Sequence, residues 1–258
     1  MNIKGIGKAI VESPVLFFDC EGTATLAERP TVKSTVKYVG NVIAGRSKHS
    51  LSEAKEYASE HIRYILGNGD IGIIKPAVSK ILLRNEKRER IEHIDREFLK
   101  NYEAPYFRDI LDLYQNVGNG NKSVAVVSRR LGGKPVIEHF GLKNAYSLTN
   151  GIKYDKYNRF VGFDWRIKKK EDKVREASKL AEKLKVPIEK CFFVGNGCID
   201  SALARICTSL AAPFSEEEMI KAADYNVDGR NGYKFVVDDI VRTFQEEMPK
   251  VLQTYQFS

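Results

Sequence analysis

The sequence predicts an α/β protein with a parallel sheet at its core and an inserted domain of helices. Continuous apolar runs at 15–18, 124–127 and 191–194 are typical of strands buried on both faces of a parallel sheet. Amphipathic helical periods alternate with these runs, as in βα units. The long interval 31–104 carries helical periodicity only, with helices expected near 31–44, 51–66, 75–84 and 91–98. We therefore expect one core domain interrupted by a helical block.

The composition indicates an ordinary globular protein of a reducing compartment. Of the 258 residues, 43% are hydrophobic and 29% are charged. No apolar run approaches the roughly 20 residues that cross a bilayer, and the first residues lack a signal-peptide core. The four cysteines contain no CxxC pair, which favours free thiols. We therefore expect a cytoplasmic protein. The net charge of +8 suits an anionic substrate or nucleic acid and decides nothing by itself.

Two acids follow the first apolar run. Asp19 comes directly after its last residue, and Glu21 comes after one intervening residue. Ligands bind outside the carboxyl ends of strands in open parallel sheets, so Asp19 stands where chemistry is expected. Gly22 allows a tight turn and a close backbone approach to a ligand. On this stretch alone, a carboxylate that caps a turn is an equal alternative.

The second and third apolar runs also end in polar groups. Ser128 closes the second run, and a loop with Asn196 and Asp200 follows the third. A predicted amphipathic helix beginning at Lys173 adds an ammonium group, although a lysine at a helix start is usually solvated. Together these groups match the needs of phosphoryl transfer, where positioned cations and hydrogen-bond donors neutralise the phosphoryl oxygens. Mg²⁺, the usual metal of such sites, prefers oxygen ligands.

In these elements the chain resembles the haloacid dehalogenase (HAD) superfamily, and within it the phosphoserine phosphatases. Four elements match in order: an hhhhDxxGT loop at 19–23, the apolar strand ending at Ser128, Lys173, and a GxGxxD loop at 195–200. The likeness continues through 211–227. It implies a Rossmann-like core domain of the HAD type, formed by residues 1–29 and 105–258, and a helical cap domain at 30–104.

The resemblance also implies a reaction, the Mg²⁺-dependent hydrolysis of a small phosphomonoester. Asp19 would be the nucleophile that forms an aspartyl phosphate. Glu21 would protonate the leaving oxygen and later activate water. Ser128 would hydrogen-bond a phosphate oxygen, and Lys173 would pair with Asp19 and the phosphate.

The resemblance implies metal-binding and substrate-binding residues as well. Asp19, the backbone carbonyl of Glu21, and Asn196 would hold Mg²⁺. Asp200 would add charge to the metal site, although its matched role is more to orient the loop. The substrate-binding residues would be Glu28, Ser128 and Arg129.

Two positions depart from the family's pattern, because Glu21 and Asn196 stand where the family has Asp. Glu21 adds a methylene that moves the proton donor by about 1 Å, and misplacements of that size can cost roughly 10²-fold in rate. Asn196 removes a negative charge, which predicts weaker Mg²⁺ binding. Arg129 is a third oddity, since a small residue usually follows the serine.

These departures, with the enlarged and charged cap, keep a second hypothesis open. It is a HAD-fold protein with lost or weak catalysis that acts as a ligand-binding or accessory subunit.

The partner expected from this reasoning is a small phosphorylated metabolite, with no membrane. Nucleic acid is disfavoured because charge alone supports it, without interleaved aromatic residues or a recognisable motif. The sequence predicts no particular oligomeric state.

Overall fold

The computed structural model of the protein describes residues 4–25, 44–45, 50–52, 87–117 and 122–255. The chain divides into two compact units. One consists of Met1–Leu26, Asp95–Gly151 and Trp165–Ser258, and the other of Ala27–Ile94 and Ile152–Asp164. The predicted helices near 31–44, 51–66 and 75–84 fall outside the described residues, apart from 44–45 and 50–52. The predicted domain limits, 1–29 with 105–258 around 30–104, stay a prediction.

A mostly parallel sheet of seven strands lies at the centre of the described residues. The strands are β1 (Val15–Phe18), β2 (Ser123–Leu131), β3 (Ala145–Tyr154), β4 (Phe160–Asp164), β5 (Phe192–Gly195), β6 (Thr208–Ala211) and β7 (Tyr225–Asn226). Their order across the sheet is β4-β3-β2-β1-β5-β6-β7. β1 pairs in parallel with β2 on one side and with β5 on the other. The predicted α/β class is therefore confirmed, and the strand that precedes Asp19 is the central one.

Helices cover both faces of this sheet. They are α1 (Ile6–Glu12), α2 (Arg88–Tyr102), α3 (Phe107–Val117), α4 (Lys134–His139), α5 (Lys170–Lys183), α6 (Ser201–Ala204), α7 (Glu217–Ala222) and α8 (Gly232–Tyr255). The helix predicted near 91–98 is confirmed as α2. None of the helices in the described part of the chain has the length and apolar character needed to span a membrane.

The core consists of two apolar clusters, one on each face of the sheet. Leu16 and Phe18 of β1 belong to the cluster that includes residues of α1, α3 and α8. Val15 and Phe17 point to the opposite face and pack with residues of α5 and α6. Successive side chains of a strand alternate between faces, so both faces of β1 are buried. This explains why the run 15–18 is apolar at every position.

Helix α5 begins three residues earlier than the predicted start at Lys173. The Asp172 carboxylate accepts hydrogen bonds from the backbone N–H groups of Lys168 (2.9 Å) and Lys169 (3.1 Å). An acid in the first turn also interacts favourably with the positive end of the helix dipole. Together these contacts stabilise an additional turn before Lys173. Lys173 thus lies within the helix, and its side chain is buried.

In the second unit, β4 follows a turn whose position the sequence predicts at 155–158. The Asp155 carboxylate accepts hydrogen bonds from the N–H groups of Tyr157 and Arg159, both at 2.8 Å. The start of α2 contacts this turn, because the Arg88 N–H donates to the Asn158 carbonyl at 2.9 Å. The Arg88 guanidinium also lies 5.6 Å from the centre of the Tyr154 ring.

Candidate active site

Asp19 lies at the carboxyl edge of the sheet, between the ends of β2 and β5. Phe18 is in register with Val126 of β2 and with Val194 of β5. The Asp19 N–H continues this ladder by donating to the Val194 carbonyl at 2.9 Å. Ser128 and Asn196 each follow two residues after these partners, so parallel pairing brings the three strand ends to one edge of the sheet.

A buried cluster of three charges forms there around Lys173. The Lys173 ammonium donates to Asp19 Oδ1 at 2.6 Å and also to Asp200 Oδ1. The Lys173 side chain is only 2% exposed. Burial alone would lower the pKa of Lys173, but the Asp19 and Asp200 carboxylates raise it above its ordinary value, so the ammonium stays charged. The structure thus brings together three of the residues that the sequence singles out.

Burial has the largest effect on the pKa of the Asp19 carboxyl group. Burial raises its pKa to about 6, and the charges of Asp200 and Glu21 add to the effect of burial, while Lys173 opposes it. A divalent cation beside Asp19 would stabilise the charged form of this buried carboxylate. The electrostatics of the cluster therefore fit a metal ion.

Asp200 organises the loop that follows β5. Its Oδ2 accepts hydrogen bonds from the N–H groups of Asn196 and Gly197, both at 2.9 Å. Its Oδ1 faces Lys173. Both carboxylate oxygens are thus engaged by the protein, and these contacts orient the loop and the lysine. Direct ligation of Mg²⁺ by Asp200 stays a prediction.

The loop after β1 is closely packed against Asn196. The Thr23 hydroxyl donates to Asn196 Oδ1 at 3.1 Å, and the Tyr233 hydroxyl holds the same loop by donating to the Thr23 carbonyl at 3.1 Å. Gly22 has a φ of +79°, and a Cβ added there would lie 2.2 Å from Asn196 Nδ2. Glycine is therefore required at position 22 both by the backbone conformation and by space.

The donor set at this edge suits a hard cation. No group of three His, Cys, Asp or Glu side chains within the described ranges is arranged to hold a metal ion. A magnesium site would therefore use the Asp19 carboxylate with the Asn196 amide oxygen and a backbone carbonyl such as that of Glu21. All three are oxygen ligands of the kind that Mg²⁺ takes. The residues present thus fit the ion that the resemblance implies.

Arg130 is a site residue that the sequence reasoning missed. Its N–H donates to Ser128 Oγ at 3.2 Å, and its Nη1 lies 3.8 Å from Glu21 Oε1. The sequence reasoning selected the neighbouring Arg129, which is half-buried. The register of β2 against β3 shifts between Ser128 and Leu131, so the regular alternation of a strand does not indicate which of the two arginines faces the site.

Asn150 is a second residue that the sequence reasoning missed. Its side-chain amide donates to the carbonyls of Arg129 and Ile167, both at 2.9 Å. Its Oδ1 accepts hydrogen bonds from the N–H groups of Arg166 (2.8 Å) and Ile167 (2.7 Å). Asn150 thus ties the strand that carries Ser128 to the segment that leads into α5. The predicted substrate contact Glu28 lies outside the described residues.

Comparisons with known proteins bear on the fold. No protein-family model and no curated protein sequence matches this chain. A phosphoserine phosphatase solved with bound substrate is 15% identical, with a TM-score of 0.60 over 84% of this chain and 94% of that one. A probable phosphoserine phosphatase from Vibrio cholerae is 14% identical, with a TM-score of 0.59 over 95% and 72%.

A third similar structure is a HAD family hydrolase from Salmonella enterica serovar Typhi. It is 14% identical, with a TM-score of 0.58 over 83% of this chain and 66% of that one. At such identities the likeness concerns the fold. The chain therefore shares its fold with these two phosphoserine phosphatases and this HAD family hydrolase.

Proposed function

We propose that the protein is a Mg²⁺-dependent phosphatase that hydrolyses a small phosphomonoester through an aspartyl phosphate on Asp19. The observation that supports this proposal is the buried Asp19, Lys173 and Asp200 cluster at the carboxyl end of the central strand. A fixed ammonium beside a carboxylate orients the nucleophile and provides positive charge for a phosphoryl group. The HAD-type fold supports the same reaction class.

The reaction proceeds in two displacements. Asp19 forms a bond to phosphorus while the bond from phosphorus to the leaving oxygen breaks, and Glu21 gives that oxygen its proton. Glu21 then takes a proton from a water molecule, which attacks the aspartyl phosphate, releases inorganic phosphate and restores Asp19.

Other residues stabilise the charge that moves during these steps. Lys173 neutralises a phosphoryl oxygen, and Ser128 donates a hydrogen bond to another. When bound, Mg²⁺ supplies further neutralisation of the phosphoryl oxygens. Asp19, the backbone carbonyl of Glu21, and Asn196 would hold the ion, with Asp200 keeping the Asn196 loop in place.

The proposed substrate is a small phosphorylated metabolite in the cytoplasm. Phosphoserine is the first compound to test, because similar folds include phosphoserine phosphatases. Arg129, Ser128 and Glu28 would contact it. The four free cysteines and the net charge of +8 agree with a reducing compartment and an anionic ligand.

The test is a phosphate-release assay over metabolite phosphates and p-nitrophenyl phosphate, with Mg²⁺, with Mn²⁺ and with EDTA. We expect metal-dependent release from at least one ester and its loss in Asp19→Asn, a variant that keeps the size of the side chain. Acid quenching during turnover should trap a hydroxylamine-sensitive phosphoprotein in the wild type only. Release that survives in Asp19→Asn would contradict the assignment of the nucleophile.

The neutral Asn196 favours one alternative, a protein that binds a phosphorylated ligand without turning it over. In that case isothermal titration calorimetry in Mg²⁺ would detect binding of inorganic phosphate. No ester in the panel would then release phosphate.

A further inference from the structure

Arg130 contacts two of the candidate catalytic residues at once. Its backbone N–H donates to the Ser128 hydroxyl at 3.2 Å. Its guanidinium lies 3.8 Å from the Glu21 carboxylate. The Arg130 side chain is only 5% exposed, whereas that of Glu21 is 35% exposed. Arg130, a buried arginine on the strand that carries Ser128, thus faces Glu21, which is less buried.

The length of Glu21 matters for this contact. An aspartate at position 21 would withdraw the carboxylate by one carbon–carbon bond, about 1.5 Å, and so place it roughly 5 Å from the guanidinium. A buried guanidinium also needs a nearby negative charge, because removing one partner of a buried pair is costly. The glutamate at position 21 therefore reaches Arg130, whereas an aspartate there would stand farther from it.

We propose that Arg130 is a positioning residue that holds the Glu21 carboxylate in place for proton transfer to the leaving oxygen. This inference rests on the proposed phosphatase function and adds to it a determinant of leaving-group specificity. Without Arg130 the longer glutamate side chain samples several rotamers. Proton transfer requires the acid to stand within hydrogen-bond distance of the oxygen that receives the proton.

Such a role predicts a dependence on the leaving group that a purely structural role does not. An alkoxide is a poor leaving group, so an alkyl phosphate needs the proton from Glu21. The p-nitrophenolate anion departs without a proton, so p-nitrophenyl phosphate hardly needs it. A variant that merely distorts the fold would slow both esters alike.

The experiment compares kcat/KM of Arg130→Gln on an alkyl phosphate, either phosphoserine or glycerol phosphate, with kcat/KM on p-nitrophenyl phosphate. The ratio kcat/KM reports the first displacement, in which the ester oxygen leaves, whereas kcat also includes hydrolysis of the aspartyl phosphate, where Glu21 acts as a base for both esters. We expect a fall of about 10- to 100-fold on the alkyl ester and of less than about threefold on p-nitrophenyl phosphate. Glu21→Gln should show the same pattern, and the double variant should lose little more, since the two residues act as a unit. Arg242→Gln, which removes an exposed arginine paired with Asp239 on α8, is the matched control and should leave both rates unchanged.

Glu21→Asp provides a second test should Arg130→Gln fail to fold, because Glu21 is partly exposed. It shortens the reach to Arg130 and should selectively slow the alkyl ester. Equal losses on both esters, or no loss in either variant, would overturn the positioning role and leave the phosphatase function intact. A wild-type protein that releases phosphate from no ester of the metabolite panel and not from p-nitrophenyl phosphate would overturn both.

Discussion

Alanine in place of Gly22 should disable the site through Asn196, and Gly5 offers a control matched in backbone conformation. Gly22 has a φ of +79° and Gly5 a φ of +81°. A Cβ at position 22 would lie 2.2 Å from Asn196 Nδ2, whereas a Cβ at position 5 meets nothing within 4 Å. The two variants therefore share the backbone strain, and only Gly22→Ala adds a collision with Asn196.

The magnitudes follow from these distances. Left-handed backbone costs a residue with a Cβ roughly 1–2 kcal/mol, so both variants should lose about that much stability from the backbone alone. The optimal separation of non-bonded carbon atoms is about 3.5 Å, so the Asn196 amide must move away by about 1.3 Å. A displacement of about 1 Å at a reacting centre can cost about 10²-fold in rate. The amide would also lose its hydrogen bond from Thr23.

Two assays separate these effects. In urea denaturation, Gly5→Ala should show the backbone cost alone, and Gly22→Ala should lose about 1 kcal/mol more because Asn196 gives up its hydrogen bond from Thr23. The Mg²⁺ dependence of phosphate release should change only in Gly22→Ala, with a fall of about 10²-fold in kcat/KM and a requirement for more Mg²⁺. If the folded Gly22→Ala protein keeps its activity within twofold of the wild type, Asn196 is not part of the metal site.

Three further predictions concern charge, hydrogen bonding and pH. Asn196→Asp restores a negative charge and should bind Mg²⁺ at least about tenfold more tightly, a gain of about 1.4 kcal/mol in binding free energy. It should also hydrolyse p-nitrophenyl phosphate faster than the wild type. Equal or lower activity would count against Asn196 as a ligand. Asn150→Ala removes four hydrogen bonds. At about 1 kcal/mol for each bond, the variant should lower the free energy of unfolding by about 4 kcal/mol. A loss below about 1 kcal/mol in urea denaturation would contradict this prediction. Burial raises the pKa of the Cys191 thiol from 9.0 to about 12, so above pH 9 the unfolded chain holds fewer protons than the folded one and stability falls. The free energy of unfolding should fall by about 1.4 kcal/mol per pH unit because of this thiol. The plot of unfolding free energy against pH for Cys191→Ala should lack this contribution.

The fold could be predicted largely because its central elements leave strong local patterns. The run 15–18 is apolar at every position, since Leu16 and Phe18 face one apolar cluster while Val15 and Phe17 face the other. The resemblance of the segments at Ser128, Lys173 and 195–200 to the HAD pattern then predicted that these strand ends meet. Helix α5 starts three residues before the prediction, because the two backbone hydrogen bonds to Asp172 stabilise a turn that apolar periodicity does not reveal.

The site could be predicted in part. The sequence reasoning selected Asp19 and Lys173, and the structure joins them at 2.6 Å. It selected Arg129 rather than Arg130, because the register shift of β2 between Ser128 and Leu131 is set by pairing with β3 and leaves no pattern in the sequence. Asn150 was missed for a related reason, since its four partners lie 16 to 21 residues away along the chain.

By itself the sequence determined the α/β class, the buried strand that precedes Asp19 and the polar groups at three strand ends, because apolar runs and the polar residues that follow them are local properties of a chain. Only the tertiary structure decided which charges are buried together. Lys173 could have been an ordinary solvated lysine, and its burial between Asp19 and Asp200 follows from strand register and helix packing. The pairing of Arg130 with Glu21 has the same origin, since the energy of an ion pair depends on distance and burial, which appear only when distant segments meet.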